Sequence, residues 1–481
     1  MGRLFYLSFQ RPPPLQVRPS EAVKVCVTIK NDLRSETYDE QGPSITLRLV
    51  WAVVLPGSRD VRVIDEGAGA AVAIEWTGAS CAFRVVEGLR APSARSVTDA
   101  VKQQQEGSPW NGAIHLGVVV DRPPRRNEPV KKKARRSSDG ADPLVWPLLR
   151  PPATGATREG GDEDGDEFVP LLSGPIQFLQ QEPARQQASS SGGGGGGSKQ
   201  NDLLRIFRLP GSSTSKGDVI VQEETGYELD KHIWDASIHL LRLLTDPTRT
   251  ASLPSSLRLL DRIESCTEEA EPEKRAFNVV ELGAGTAVVS IALARYTQQN
   301  LPSSIDAAAK VTFYATDLES ALPLMRTNMA WNELIEPGIE EDEDQPEPEP
   351  EQHTTFPTAC PSDSSPPPAS PPVQHQVHLC PQHLDWLRPL PLTLPPKKID
   401  LILISDCTYN PTFYQPLAQT IASLLAISSG SCVLGKKHRH EDEMGLWDVL
   451  RKAGLGVRLV DGWEHEEEGE ERWGVWEVFA A

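Results

Sequence analysis

Cysteine is sparse in this sequence: Cys26, Cys81, Cys266, Cys360, Cys380, Cys407 and Cys432 are scattered through 481 residues without paired spacing. That argues against a disulfide framework and fits a reducing compartment. Long apolar runs are missing too. None reaches the roughly 18 residues a membrane-spanning helix needs, and the N-terminus, Met1 to Tyr6, meets Arg11-Pro12-Pro13-Pro14 before a secretory apolar region can form. The sequence therefore predicts a soluble, intracellular, cytoplasmic protein with no membrane partner. Positive charge is in deficit, 48 Lys and Arg against 67 Asp and Glu, for a net charge of −19. That balance disfavours broad nucleic-acid binding.

Proline and glycine are abundant instead, at 42 and 36 residues, so much of the chain cannot pack into a core. Residues 1 to 120 carry short β-like runs at Lys24 to Ile29, Ser44 to Val54, Val61 to Asp65, Ala71 to Trp76 and Ala82 to Val86, which predict a small β-rich module without chemistry of its own. Residues 121 to 200 turn basic, then acidic, then into Ser189 to Ser198 with its six glycines, a linker by composition. The basic run Lys131 to Arg136 fits a nuclear import signal or a plain basic loop. Order resumes with two strands, Leu203 to Leu209 and Asp218 to Gln222, and a helix over His232 to Leu244. Strands then alternate with helices. Asn278 to Leu282, Val311 to Thr316, Val377 to Leu379, Ile399 to Ser405, Ser431 to Gly435, Val457 to Asp461 and Trp473 to Phe479 predict an α/β domain with a seven-strand twisted sheet covered on both faces. The last two strands, joined by an acidic turn, predict an antiparallel hairpin at the sheet edge. Acidic and proline-rich residues 339 to 373 read as a disordered insertion, and Pro302 to Ala309 as a smaller one.

Chemistry gathers at strand ends. The first strand runs through Glu281 into Gly283-Ala284-Gly285, where missing Cβ atoms let another group approach, and a helix from Ala287 follows. The third glycine of a dinucleotide turn is absent, since Val288 stands there, which favours a nucleoside ligand without phosphates. Asp317 ends the second strand, where doubly wound sheets grip ribose hydroxyls; its late position follows from the small insertion. The third strand leads to Leu384-Asp385-Trp386, whose indole suits stacking on a base or a place in the core. The fourth ends in Asp406-Cys407-Thr408-Tyr409.

Together Glu281 to Thr286, Asp317, Leu384 to Trp386, Asp406 to Tyr409 and the earlier Trp234-Asp235-Ala236 resemble the methyltransferase-like family (family 16) of seven-β-strand S-adenosylmethionine enzymes, many of which methylate protein lysines. The resemblance covers residues 203 to 481. It implies a Rossmann-like fold with S-adenosylmethionine as cofactor over the C-terminal strand edges. By the same resemblance Gly283 and Gly285 pass under the methionine part, Glu281 supports the turn, Asp317 binds the ribose, Trp386 packs on adenine and Trp234 closes the site. Asp406 and Tyr409 border the methyl-acceptor pocket, and Asp406 also counts among the cofactor contacts. Ala287 and Ser290 stand where the family often has glycine.

A lysine acceptor, with a pKa of about 10.4, must lose its proton before attack. A free carboxylate would oppose that loss, so Asp406 reads as a positioning group, and Tyr409 with Phe413 or Tyr414 as an aromatic wall. His375, His378, Cys380 and His383 fall on a strand whose alternation splits them between faces, so no metal site is expected. Lys436 to His440 reads as a solvated loop or a grip on an acidic substrate. Methylation of a non-lysine acceptor and a non-catalytic partner-binding role on the same fold are the alternatives. The sequence leaves open the acceptor's identity, the oligomeric state and the role of residues 1 to 120.

Overall fold

A computed structural model describes residues 4–33, 38, 45–54, 61–64, 72–76, 83–102, 112–121, 144–148, 167–179, 200–212, 215–226, 228–267, 276–301, 310–334, 376–391, 398–427, 430–462 and 472–481. The basic run at 131 to 136, the glycine tract and the expected insertions at 302 to 309 and 339 to 373 lie outside these residues.

The seven apolar runs of the C-terminal half form one sheet, here numbered β1 (Ala276–Leu282), β2 (Lys310–Asp317), β3 (Gln376–His383), β4 (Leu401–Ser405), β5 (Ser431–His438), β6 (Leu455–Gly462) and β7 (Arg472–Ala480). Their order is β3-β2-β1-β4-β5-β7-β6. The first five pair in parallel and β7 runs antiparallel to both β5 and β6. Strand order reverses between β1 and β4, which opens a crevice at their C-terminal ends.

Period-two alternation divides the side chains between two cores. Val279, Phe313, Leu403 and Val433 join one cluster with helices α1 (Asp235–Thr245) and α2 (Val288–Asn300). Val280, Leu282, Ile402 and Leu434 join the other, under α4 (Tyr414–Ala426) and α5 (Gly445–Lys452). Helix α3 (Leu322–Trp331) follows β2. Central strands buried on both faces account for the continuous Val, Leu and Ile runs.

The N-terminal half corrects the domain boundaries drawn from composition. Residues 121 to 200 are not linker throughout: Val145–Pro147, Glu167–Val169, Leu171–Ser173 and Ile176–Phe178 are strands. Asp202–Arg208 and Asp218–Glu224, assigned above to the C-terminal domain, belong to a ten-stranded sheet that includes Ala113–Asp121. Asp202–Arg208 pairs with Leu171–Ser173 and with Val145–Pro147. Strands of three residues between prolines and glycines leave no periodic signal, and only long-range pairing fixes them. Glu167–Val169 lies beside Leu4–Arg11 at the edge of a four-stranded sheet. Leu4, Tyr6, Trp146, Leu148, Val169 and Phe207 sit in the same cluster as Val279 and Ile291, so one core spans both halves.

Candidate active site

The turn after β1 holds three left-handed residues, Gly283 (φ +67°), Gly285 (φ +53°) and Ala287 (φ +60°). Glycine adopts this region freely, whereas alanine is strained in it. A Cβ on Gly283 would stand 2.7 Å from Cys407 Cβ and 3.4 Å from the Trp386 ring; one on Gly285 would stand 3.1 Å from the Asp230 carbonyl oxygen. The missing side chains therefore admit protein neighbours from the segments after β3 and β4 and from the 3-10 turn Leu229–Lys231. Asp230 had no sequence signal.

Asp317 braces the same turn. Its Oδ2 accepts from the Gly285 N–H at 2.7 Å and its Oδ1 from the Leu318 N–H at 2.7 Å. Burial, opposed by those two hydrogen bonds, raises its pKa. Beneath it Glu281 is fully buried and accepts from the Ser290 N–H at 3.0 Å and from the Ser290 hydroxyl. Ser290 is the third residue of α2, so this carboxyl satisfies an orphan amide of the helix start. The departure from glycine at 290 gives Glu281 a second donor. Burial still pushes the Glu281 pKa up to about 7, against the pull of Ser290.

On the other side of the crevice, the Cys407 thiol donates to the Leu282 carbonyl at 3.5 Å. Burial, with Asp317 and Asp406 nearby, drives its pKa up, so it stays a neutral thiol. Trp386 is half-buried and packs on the core beside Leu384. Tyr409 is 47 % exposed and Phe413 38 %. Tyr414 is no part of an aromatic wall: it is buried in α4, and its hydroxyl donates to the Thr408 carbonyl at 2.9 Å. Burial, then Cys407 and Asp317, raises the Tyr409 pKa, so its hydroxyl keeps its proton.

Asp406, read above as a positioning group, is a paired carboxylate. It is buried at a left-handed φ of +56°. Arg439 holds it in a fork, Nη1 to Oδ1 at 2.8 Å and Nη2 to Oδ2, and the Lys437 N–H donates to Oδ1 at 3.3 Å. The Arg439 guanidinium also lies over the Trp234 ring, 5.4 Å from its centroid. Arg439 thus joins two residues that the sequence named separately. Lys436, Lys437 and Arg439, read above as a loop or a substrate grip, are committed inside the protein: Lys436 to Glu443, Lys437 to Asp235 at 2.6 Å, and Arg439 to Asp406 and Asp32. Buried cations interrupt the apolar pattern of β5, so the strand is longer than its hydrophobic run. Arg439 Nε and Thr408 Oγ1 are buried without a hydrogen-bond partner. Unsatisfied buried polar atoms are rare, and these two follow the ends of the neighbouring strands β4 and β5.

Residues 213–343 and 371–453 match the family model described as lysine methyltransferase. Among curated proteins no match is found. Solved structures similar to the chain include a TehB-like S-adenosylmethionine-dependent methyltransferase from Corynebacterium glutamicum, 10% identical over 49% of this chain and 100% of that one, with a TM-score of 0.25. An arsenic(III) S-adenosylmethionine methyltransferase from Chlamydomonas reinhardtii is 10% identical over 48% of this chain and 70% of that one, with a TM-score of 0.24. The glycopeptide N-methyltransferase MtfA, solved with S-adenosylmethionine, is 12% identical over 46% of this chain and 92% of that one, with a TM-score of 0.23.

The family match defines the class: an S-adenosylmethionine-dependent methyltransferase. Within that class, the C-terminal part of the chain matches the lysine methyltransferase family model. The residues present fit the cofactor. Each Asp317 oxygen accepts one loop amide, and a carboxylate oxygen has a second lone pair for a hydroxyl donor. No helix among the described residues is long and apolar enough to cross a membrane.

Proposed function

We propose that the protein transfers a methyl group from S-adenosylmethionine to the side-chain amine of a lysine in a protein substrate. The observation that carries this reading is the match to a lysine methyltransferase family over a site where Asp406, at the end of β4, is already paired with Arg439. The cofactor supplies an electrophilic methyl on a sulfonium, so the protein's task is to orient a neutral amine and keep water out. With Arg439 forked onto Asp406, little free negative charge remains at that strand end to hold the incoming amine protonated. Asp317 would hold the ribose, the turn from Gly283 to Gly285 the methionine part and Trp386 the adenine. Tyr409, exposed beside Cys407, would line the acceptor path, with Trp234 and Asp406 closing the opposite side.

The test uses the full chain, labelled S-adenosylmethionine and a cell lysate, followed by hydrolysis and amino-acid analysis. Label recovered in methylated lysine supports the proposal. Label confined to small molecules or to another amino acid refutes it. Tyr409→Ala should lower transfer at least tenfold while cofactor affinity, read by calorimetry, stays within about twofold.

A further inference from the structure

The β-rich N-terminal half reaches the site itself. Asp32 lies just after the strand Val25–Lys30, and its side chain is 0% exposed. Its Oδ2 accepts from Arg439 Nη2 at 2.6 Å and from the Asp235 N–H at 3.3 Å. Its Oδ1 accepts from the Leu33 N–H at 2.9 Å and from Lys437 Nζ at 3.4 Å. Tyr6, from Leu4–Arg11, donates its hydroxyl to Asp235 Oδ1 at 2.9 Å. Burial works to raise the Asp32 pKa, but Arg439 and Lys437 outweigh it and hold the carboxyl below its usual range.

A dry ion cluster is costly to assemble, and apolar side chains of similar volume would join two halves as well or better. Charge balance does not require Asp32 either, since Asp235 and Asp406 already match Lys437 and Arg439. What Asp32 adds is direction. Arg439 Nη2 is shared between Asp32 and Asp406, so its fork can present only one face to Asp406. Lys437 and Arg439 sit two residues apart on the end of β5 and would otherwise repel each other apart.

We propose that Asp32 is a positioning residue of the methyl-transfer site: from the N-terminal half it sets Arg439 against Asp406, and so fixes the turn from Asp406 to Tyr409 that borders the acceptor. The kinetic part of this proposal rests on the lysine-transfer reading; the structural part does not.

The test compares the full chain with Asp32→Asn and with Glu167→Gln. The latter cuts another ion pair between the halves, that of Arg242 and Glu167 at 2.8 Å, away from Asp406. Hydrogen exchange in the cofactor-free protein is read at the amides from 405 to 413 and from 282 to 286. Asp32→Asn should speed exchange in the first segment at least tenfold and leave the second unchanged; Glu167→Gln should alter neither. With saturating acceptor, Asp32→Asn should lower kcat at least tenfold while S-adenosylmethionine Kd stays within twofold. Unchanged exchange at 405 to 413 overturns the proposal whether or not methyl transfer is detected, and so does an equal effect of Glu167→Gln. A wild-type protein without lysine transfer refutes the functional reading alone, and the exchange data still decide the role of Asp32. Should Asp32→Asn fail to fold, Asp32→Glu keeps the charge but shifts it by one methylene, and it must show the same segment-specific exchange or the proposal fails.

Discussion

Glu281 combines full burial, two donors from Ser290 and a pKa pushed up to about 7. Because the folded value lies above the ordinary 4.5, the folded state keeps the proton longer than the unfolded chain does. The stabilising contribution is complete below about pH 4.5 and is lost as pH rises through about 7. Glu281→Gln should remove that loss, so the variant gains on wild type by up to ~3 kcal/mol between pH 4.5 and 7.5. Thermal melts of both cofactor-free proteins at the two pH values check this; an equal difference at both sinks it. Glycine substitutions separate strain from collision. Gly454 has φ +78° with nothing within 4 Å of an added Cβ, whereas Gly283 would meet Cys407 at 2.7 Å. Gly454→Ala should cost about 1–2 kcal/mol from the left-handed backbone alone. Gly283→Ala should cost clearly more and abolish cofactor binding, as read by denaturant titration and calorimetry. The sequence exposed Gly283, Gly285, Asp317 and Tyr409 because each follows a strongly apolar strand. It could not expose Asp32, Asp230 or Arg439, whose importance depends on partners hundreds of residues away or on a loop without a motif.

Strands were legible where the sheet buries both faces and less so where polar groups enter it. β1 and β4 are almost purely apolar, and their expected and observed spans differ by two residues at one end. β3 extends from the expected Val377-His378-Leu379 to Gln376–His383 because an edge strand tolerates Pro381 and polar side chains. Helix α1 begins at Asp235, three residues later than its apolar pattern suggested, since Trp234 is extended with its indole N–H donating to the Leu229 carbonyl. The short N-terminal strands are held by groups rather than by runs. Arg205, 2 % exposed, pairs with Glu223 at 2.6 Å and donates to the carbonyls of Leu7, Val169 and Pro170. Arg205→Met would remove the cation from the buried Glu223 carboxylate, which keeps the Ile233 N–H at 2.9 Å, and the guanidinium donor from three carbonyls. The expected loss is about 3–5 kcal/mol in chemical denaturation, the range for breaking a buried pair from one side; a loss below about 1 kcal/mol, the level of an exposed pair, would show the cluster to be solvated.

At the scale of the whole molecule, the two halves share a core, an ion cluster and a sheet boundary that composition placed wrongly. A fragment of residues 203 to 481 would keep the Asp202–Arg208 strand almost whole while removing its partners Leu171–Ser173 and Val145–Pro147. It would also uncover the surface now covered by Leu4, Tyr6, Trp146 and Leu148. That fragment should aggregate or melt well below the full chain, measured by light scattering and circular dichroism. A fragment that melts cooperatively at the full chain's temperature would show the halves to be independent.

The contact between Asp32 and Arg439 joins residues 407 positions apart. During synthesis the Asp32 carboxylate leaves the ribosome 407 residues before the guanidinium it binds, and β7, in the middle of the sheet's antiparallel edge, follows later still. A nascent chain that stops short of Arg439 therefore leaves both Asp32 and Asp406 without that guanidinium. A product cut off before Arg439 would carry the glycine turn from Gly283 to Gly285 without the fork on Asp406.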